Sequence, residues 1–174
     1  LVMLANMAFG INDNSIYLSP APLYHAAPLR WSMTVQKLGG TVVLMKKFDE
    51  EGALAAIEKY RCNCGQFVPT HFVRMLKLPK DVRQKYDLSS MKVAIHAAAP
   101  ISVPVKREMI EWWGPVLFEY YAGSEGNGMT FATSHDWLAH PGTVGRAVSG
   151  TVHIMAEDNE TELPVGEEGG VYFE

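Results

Sequence analysis

Residues 116–126 of this 174-residue chain read Val-Leu-Phe-Glu-Tyr-Tyr-Ala-Gly-Ser-Glu-Gly. The run is aliphatic and aromatic at first, which predicts a buried β-strand. It then breaks into small residues, with the hydroxyl of Ser124 and the carboxylate of Glu125 set between Gly123 and Gly126. Because ligands of an open parallel α/β sheet bind beyond the carboxyl ends of its strands, this tip is the first candidate for a functional site.

The residue types at the tip suggest a nucleotide ligand. Its glycines allow a ligand to approach the backbone closely, and Ser124 can form a hydrogen bond with a phosphate oxygen. Glu125 offers the hard oxygen ligands that magnesium prefers, and Tyr121 adds a flat aromatic face. From these residues alone, a tight turn with a solvated glutamate is an equal alternative.

A second stretch has the same design. Residues 91–95 predict a strand, which ends in His96 and is followed by Ala97-Ala98-Ala99-Pro100 and a helix capped by Ser102. Three consecutive alanines allow a flat ligand to lie against the backbone. The alternative is small-residue packing beneath the start of a helix.

Apolar strands alternate with helical segments along most of the chain. This alternation predicts an α/β fold, a doubly wound and mostly parallel sheet with helices on both faces. We expect an α/β domain over residues 1–148 and the start of a β-rich subdomain over 149–174, with little periodicity between Gly126 and Arg146. The predicted strands are 16–18, 41–45 (buried), 65–68, 91–95, 116–121, 151–155 and 170–173.

Helix signals supplement the strand pattern. A helix ends at Phe9, a second closes at Gly39-Gly40, and Asp49 and Thr70 are predicted N-caps. One face of the helix after Asp49 is expected to be buried. In the helix after Ser102, we expect one apolar face and one charged, outward face. The predicted faces are Ala53, Leu54, Ile57 and Tyr60 for the first helix; for the second, Val105, Met109, Trp112 and Trp113 inside, with Lys106, Arg107, Glu108 and Glu111 outside.

Composition excludes several classes of protein. The formal charge of −4 and scattered basic residues give no support for a nucleic-acid or anionic-membrane surface. No apolar run is long enough to span a bilayer. Cys62 and Cys64 are too close for an ordinary disulfide and too few for zinc, so we expect reduced thiols in a cytoplasmic protein. The chain starts without an initiator methionine and stops inside a predicted strand, so we expect a piece of a longer protein.

Four segments carry a family resemblance, in the family's own order. Ala97-Ala98-Ala99-Pro100 resembles the Gly-Ala-Ala-Pro segment, and residues 121–125 resemble the Tyr-Gly-x-Thr-Glu segment, of adenylate-forming enzymes of the acyl-CoA synthetase type. Pro22-Leu23-Tyr24-His25 is similar to the Pro-Leu-Phe-His segment, and residues 141–146 supply the fourth match. The resemblance implies that ATP and a carboxylic acid form an acyl-adenylate, from which coenzyme A takes the acyl group.

The resemblance also implies roles for individual residues. Adenine would lie between the backbone of Ala97, Ala98 and Ala99, which Pro100 follows, and the ring of Tyr121. Ala122, Gly123 and Ser124 would complete the nucleotide site, although the family usually has glycine at the position of Ala122 and threonine at that of Ser124. Glu125 would hold magnesium, and His25 would position or gate the acyl and phosphate sites.

The resemblance further implies that functional segments of the complete enzyme lie outside these 174 residues. The family's phosphate-binding loop should lie upstream of Leu1, and its carboxyl-terminal domain beyond Glu174, so this chain alone is expected to be inactive. The sequences of residues 22–25 and 137–142 look most like those of fatty-acyl-CoA synthetases. Leu29, Met33 and Phe131 are then candidate pocket residues. Apart from the resemblance, we expect a truncated sheet to form a homodimer through an exposed edge that the full protein covers.

Two other functions remain open at this point. Ala122-Gly123-Ser124-Glu125-Gly126 differs by one methyl group from a serine hydrolase elbow, with Ser124 as the nucleophile. Asp136 and either His140 or His153 would complete its triad, although residues 127–130 are a poor helix start. The other alternative is a non-catalytic nucleotide-binding module, and the remaining histidines are expected to be structural or exposed.

Overall fold

A sheet of seven strands forms the centre of the computed structural model, which describes residues 1–123 and 125–174. The strand order is β2-β1-β3-β4-β5-β6-β7. Strands β1 to β5 are parallel, and β6 and β7 are added antiparallel at one edge. The strands are β1 Ile16–Ser19, β2 Thr41–Leu44, β3 Cys64–Phe67, β4 Val93–His96, β5 Leu117–Ala122, β6 Met129–Ala132 and β7 Arg146–Ser149.

Helices cover both faces of this sheet, as predicted. Neighbouring strand residues point to opposite faces, so Leu18 joins one apolar layer while Tyr17 joins the other. The first layer contains residues of α3, α4, α6 and α7, and the second contains residues of α1 and α2. The helices are α1 Val2–Phe9, α2 Ala26–Lys37, α3 Glu50–Tyr60, α4 Pro69–Leu76, α5 Lys80–Gln84, α6 Val103–Trp113 and α7 Ser134–Ala139.

Local sequence signals explain several helix ends. The Asp49 carboxylate accepts a hydrogen bond from the Gly52 amide at 2.5 Å, which confirms the predicted N-cap of α3. Gly39 has φ 86° just after α2 and allows the chain to turn into β2. Thr70 is not a cap, because α4 already begins at Pro69. The Val68 amide instead donates to Nδ1 of His71 at 3.4 Å.

Three expectations about burial were wrong. Strand β2 is an exposed edge strand rather than a buried one, because among the described residues it pairs with β1 alone. Tyr60, at the end of α3, is 46% exposed, although Ala53, Leu54 and Ile57 are buried as predicted. Lys106, expected on the outer face of α6, is fully buried because a carboxylate on β5 pairs with it.

The region after β5 has more regular structure than its sequence predicted. Residues 126–145 contain β6 and α7, and β7 begins at Arg146. Two further strands, β8 Val152–Met155 and β9 Gly170–Phe173, form a separate antiparallel pair. The division into domains at residue 148 remains a prediction. Among the described residues, no helix combines the length and apolar character needed to cross a membrane.

Candidate functional site

The ends of β4 and β5 lie side by side and carry the two candidate loops. The parallel register pairs Ile95 with Phe118 and His96 with Glu119. The loop that begins at Ala97 therefore emerges beside Tyr120 and Tyr121 at the carboxyl edge of the sheet. The sheet topology thus brings together two segments that are more than 20 residues apart in sequence.

A cavity of about 510 Å³, here called the sheet-end cavity, lies between these loops. Its size suits a small-molecule ligand. Tyr121 is 45% exposed on its wall, and its ring stacks on Phe173 with centroids 6.2 Å apart. Strands β8 and β9 close the cavity on one side. It is lined by Ala97–Pro100, Glu119–Ala122, Thr130, Val144, Gly145, Ala147, Val152, Ile154 and Val171.

The backbone is strained in the loop after β4. Ala98 has φ 76°, a left-handed conformation that costs a residue with a Cβ roughly 1–2 kcal/mol. Such strain persists only where the surroundings impose it, and it is concentrated at binding sites. The strained residue lines the sheet-end cavity, where its exposed side faces the space a ligand would occupy.

The loop after β5 places two side-chain oxygens beside Gly123. The Gly126 amide donates to the Gly123 carbonyl at 3.2 Å and closes a turn, while Ser124 lies outside the described residues. A Cβ at Gly123 would lie 2.7 Å from Oε2 of Glu125 and 3.1 Å from Oδ1 of Asn127. The side-chain oxygens of Glu125 and Asn127 therefore lie close together beside Gly123, which has no side chain. Two such oxygens fit a magnesium ion whose other ligands are phosphates and water. No group of three metal-ligating side chains occurs among the described residues.

A second cavity of about 560 Å³, the helix-side cavity, lies between α1, α2 and the same loops. Aromatic rings of Phe9, Trp31 and Tyr120 form part of its wall, and the Arg30 guanidinium also lines it. Nε1 of Trp31 donates to the Tyr120 hydroxyl at 3.4 Å. Burial raises the pKa of Tyr120, so this phenol stays neutral at physiological pH.

The two cavities adjoin, because Ala97, Ala98, Tyr120 and Ala122 line both. Ligands bound in the two cavities would therefore contact the same four residues. None of the pocket residues proposed from the sequence lines the helix-side cavity, since α2 presents Ala26, Ala27, Arg30 and Trp31 to it instead. The residues that lie elsewhere are Leu29, Met33 and Phe131.

His25 lies at the start of α2, beside the helix-side cavity. It is the N-cap residue, but its side chain makes no capping hydrogen bond. The ring packs against Tyr24 with centroids 4.5 Å apart and is exposed, while Ala26 and Ala27 line the cavity. The His25 side chain is therefore next in sequence to residues that line the helix-side cavity, but it is not itself among the lining residues described.

A buried charged cluster lies beneath both loops, and sequence reasoning missed it. Nζ of Lys106 on α6 lies 2.5 Å from Oε2 of Glu119 on β5, and 5.2 Å from the centre of the Trp137 ring. Nε2 of His96 lies 3.6 Å from the same carboxylate oxygen. Burial and the Lys106 charge lower the pKa of His96 to about 3, so its ring is neutral. A carboxylate inside an otherwise apolar strand was the one signal available in the sequence.

The geometry does not favour a serine hydrolase. An elbow serine is followed by a helix, whereas here β5 is followed by the antiparallel strand β6. The Asp136 carboxylate accepts hydrogen bonds from the amide and hydroxyl of Thr133 and so caps α7. His153 pairs with Glu162 at 2.9 Å. The proposed acid and one proposed base therefore already have other partners.

The two cysteines are buried and free. Burial raises the pKa of Cys62 to about 11 and that of Cys64 to about 12. Both thiols are thus protonated at neutral pH and unreactive, as packing residues should be.

Comparison with known proteins agrees with this geometry. The family model described as "AMP-binding enzyme" matches residues 1–174. A probable CoA ligase of Humulus lupulus is 31% identical over 128 residues, which are 72% of this chain and 23% of that protein. A long-chain-fatty-acid–CoA ligase of Bacillus subtilis is 30% identical over 154 residues, which are 88% of this chain and 27% of that protein. The chain thus spans about a quarter of the length of these relatives.

A solved structure shows the same fold. The amide bond synthetase McbA of Marinactinospora thermotolerans superposes with a TM-score of 0.83 and 25% identity. The match covers 98% of this chain and 35% of that one.

Proposed function

The chain belongs to the AMP-binding enzyme family, and from this premise we propose that the complete protein is an AMP-forming acid–thiol ligase. It would join ATP and a carboxylic acid into an acyl-adenylate, releasing pyrophosphate. The thiol of coenzyme A would then attack the acyl carbonyl and release AMP. The observation that carries this proposal is the pair of adjoining cavities, which meet at the two strand-end loops.

The sheet-end cavity is the proposed nucleotide site. Adenine would lie between the backbone of residues 97–99 and the Tyr121 ring, which Phe173 supports from behind. Glu125, with Asn127 beside it, is the proposed magnesium ligand. A bound magnesium ion would offset the negative charge that builds on the phosphates as pyrophosphate leaves. Ser124 is proposed to bond a phosphate oxygen.

The helix-side cavity is the proposed site for the acid. Its apolar and aromatic walls suit a fatty acid or a related acid with an apolar chain. Relatives with such names support this choice, as the Bacillus subtilis protein is a long-chain-fatty-acid–CoA ligase. His25, which precedes the cavity-lining residues Ala26 and Ala27, is proposed to position the acid and the phosphates.

The central experiment is carboxylate-dependent exchange of labelled pyrophosphate into ATP by the complete protein, across a panel of acids. We expect exchange with medium- or long-chain fatty acids. Because Glu125→Ala removes the proposed magnesium ligand, we expect it to lower the exchange rate by about 100-fold or more. Glu111→Ala, an exposed carboxylate on α6, is the matched control and should leave exchange unchanged. A well-folded protein that exchanges with no acid would contradict the proposal.

We further propose that residues 1–174 alone do not catalyse adenylation, since they span about a quarter of the relatives' length. A single-turnover assay of this chain with ATP and a fatty acid tests this, and robust adenylate formation would overturn it. We also propose that residues 1–174 alone form a homodimer through the exposed edge strand β2, an edge that the complete protein would cover. The amides of Thr41 and Met45 donate toward β1, so the alternate amide of Leu44 faces the open edge. Sedimentation of residues 1–174 should therefore show a dimer for the wild type and a monomer for Leu44→Pro, and a monomeric wild type would overturn the proposal.

A further inference from the structure

We propose that Lys106, Glu119 and His96 are positioning residues, which hold the ends of β4 and β5 in the relative placement that nucleotide binding requires. This inference rests on the proposed function only in taking the sheet-end cavity as the nucleotide site. It concerns three side chains that carry none of the roles discussed above.

The connectivity of the cluster is the first argument. The loop after β4 begins next to His96 and ends at α6, whose first turns carry Lys106. Both side chains approach the same Glu119 oxygen, at 3.6 Å and 2.5 Å respectively. One carboxylate on β5 thus contacts the residue before the loop and a residue soon after it.

The location of Glu119 is the second argument. It lies two residues before Tyr121 on β5, and it lines the sheet-end cavity itself. A displacement of β5 at Glu119 would move the Tyr121 ring relative to the backbone of residues 97–99, and the contacts of Glu119 with Lys106 and His96 oppose such a displacement. A base can stack between the Tyr121 ring and the backbone of residues 97–99 only if the distance between them is held at the thickness of the base.

Energetics provide the third argument. Lys106 is fully buried and Glu119 is 5% exposed, so both ions have lost most of their hydration. A buried ion pair of this kind is often no more stabilising than well-packed apolar residues of similar volume. Neither ring nitrogen of His96 has a hydrogen-bond partner among the described residues, which is a further cost. A gain in folding stability therefore does not explain why these three polar side chains are buried here. A role in holding the ends of β4 and β5 in place does.

The test is a double substitution in the complete protein, Lys106→Met with Glu119→Leu. It replaces the ion pair with apolar side chains of similar size and avoids leaving an unpaired buried charge, which either single substitution would do. Arg83→Met with Glu108→Gln is the matched control, because that pair joins α6 to α5, with Nη1 and Oε1 2.9 Å apart, and neither residue lines the sheet-end cavity. The measurements are urea unfolding, the KM values for ATP and for the acid, and the AMP dissociation constant from calorimetry.

We expect the double variant to unfold at a urea concentration at least as high as that of the wild type. Its KM for ATP and its AMP dissociation constant should rise by about tenfold or more, because small misplacements of binding groups are costly. The KM for the acid should change less than twofold, and the control should match the wild type throughout.

Two results would overturn the inference. One is a stable double variant whose AMP dissociation constant stays within twofold of the wild type. The other is an equal rise of the KM for ATP and the KM for the acid together with a lower free energy of unfolding, which would indicate a structural role alone. If the wild type binds AMP but exchanges no pyrophosphate, the proposed ligase activity fails, while the AMP dissociation constants still decide the inference. If the wild type binds neither nucleotide, both fail.

Discussion

At the scale of single residues, His96 links the site to acid stability. The pKa of its ring is about 3 in the folded chain, because of burial and Lys106, against 6.5 for an unperturbed histidine. Between these values the unfolded state binds a proton that the folded state does not. The contribution of this group to stability is therefore complete above pH 6.5 and is lost as the pH falls toward 3.

This linkage predicts a smaller acid sensitivity for His96→Phe. Each pH unit inside the window costs about 1.4 kcal/mol, so the wild type should lose about 2 kcal/mol more than the variant between pH 6.5 and 5. Urea unfolding at several pH values measures the difference in slope. His135→Gln, at an exposed position, is the control. If the free energy of unfolding falls with pH at the same rate in the wild type and His96→Phe, the pKa of His96 is not lowered in the folded chain.

A second prediction at this scale concerns Ala98, whose φ of 76° suits glycine better than alanine. Ala98→Gly relieves that strain and should raise the free energy of unfolding by about 1 kcal/mol. Ala99→Gly, in the same loop but without positive φ, should lower it by about 0.5 kcal/mol. Destabilisation by both substitutions, measured in urea, would contradict the strained conformation.

At the scale of elements, the 141–146 segment approaches β6 so closely that position 145 leaves no room for a side chain. Gly145 has φ 92°, and a Cβ there would collide with the backbone carbonyl of Phe131. Gly142 has φ 95° and no atom within 4 Å of its Cβ position. The two glycines therefore separate the cost of backbone conformation from the cost of collision.

From this contrast we predict unequal effects of two alanine substitutions. Gly142→Ala should cost about 1 kcal/mol, for the positive φ alone. Gly145→Ala should cost about 3 kcal/mol or more and should weaken nucleotide binding, because it separates β7 from β6 beside the sheet-end cavity. Chemical unfolding and AMP calorimetry measure both effects. Equal costs would mean that the segment can move away from β6.

Individual elements also show what local patterns can and cannot predict. Asp49 caps α3 as predicted because the capping bond is local. The burial of Lys106 was not predictable from the spacing of α6, since its partner Glu119 is on another element. The exposure of β2 likewise depends on its place in the sheet order, which its apolar sequence does not encode.

At the scale of the whole molecule, the parallel part of the fold followed from its sequence rhythm, because each apolar strand is separated from the next by a helix. The antiparallel strands β6 and β7 did not, because Met129–Ala132 is short. The hairpin dipeptide Asn127-Gly128 directly precedes it, but it ends a six-residue connection from Ala122 and is not a two-residue turn between adjoining strands. The strand-end location of the two candidate loops was predictable from the same rhythm. Their common cavity, its β8–β9 wall and the adjoining helix-side cavity depend on contacts between distant segments.

The most direct test of the central claim is a crystal structure of the complete protein with bound AMP. We predict that the adenine ring lies in the sheet-end cavity, between the backbone of residues 97–99 and the Tyr121 ring, with the phosphate directed toward residues 123–126. AMP bound at any other surface, with the sheet-end cavity empty, would contradict the assignment of this cavity as the nucleotide site.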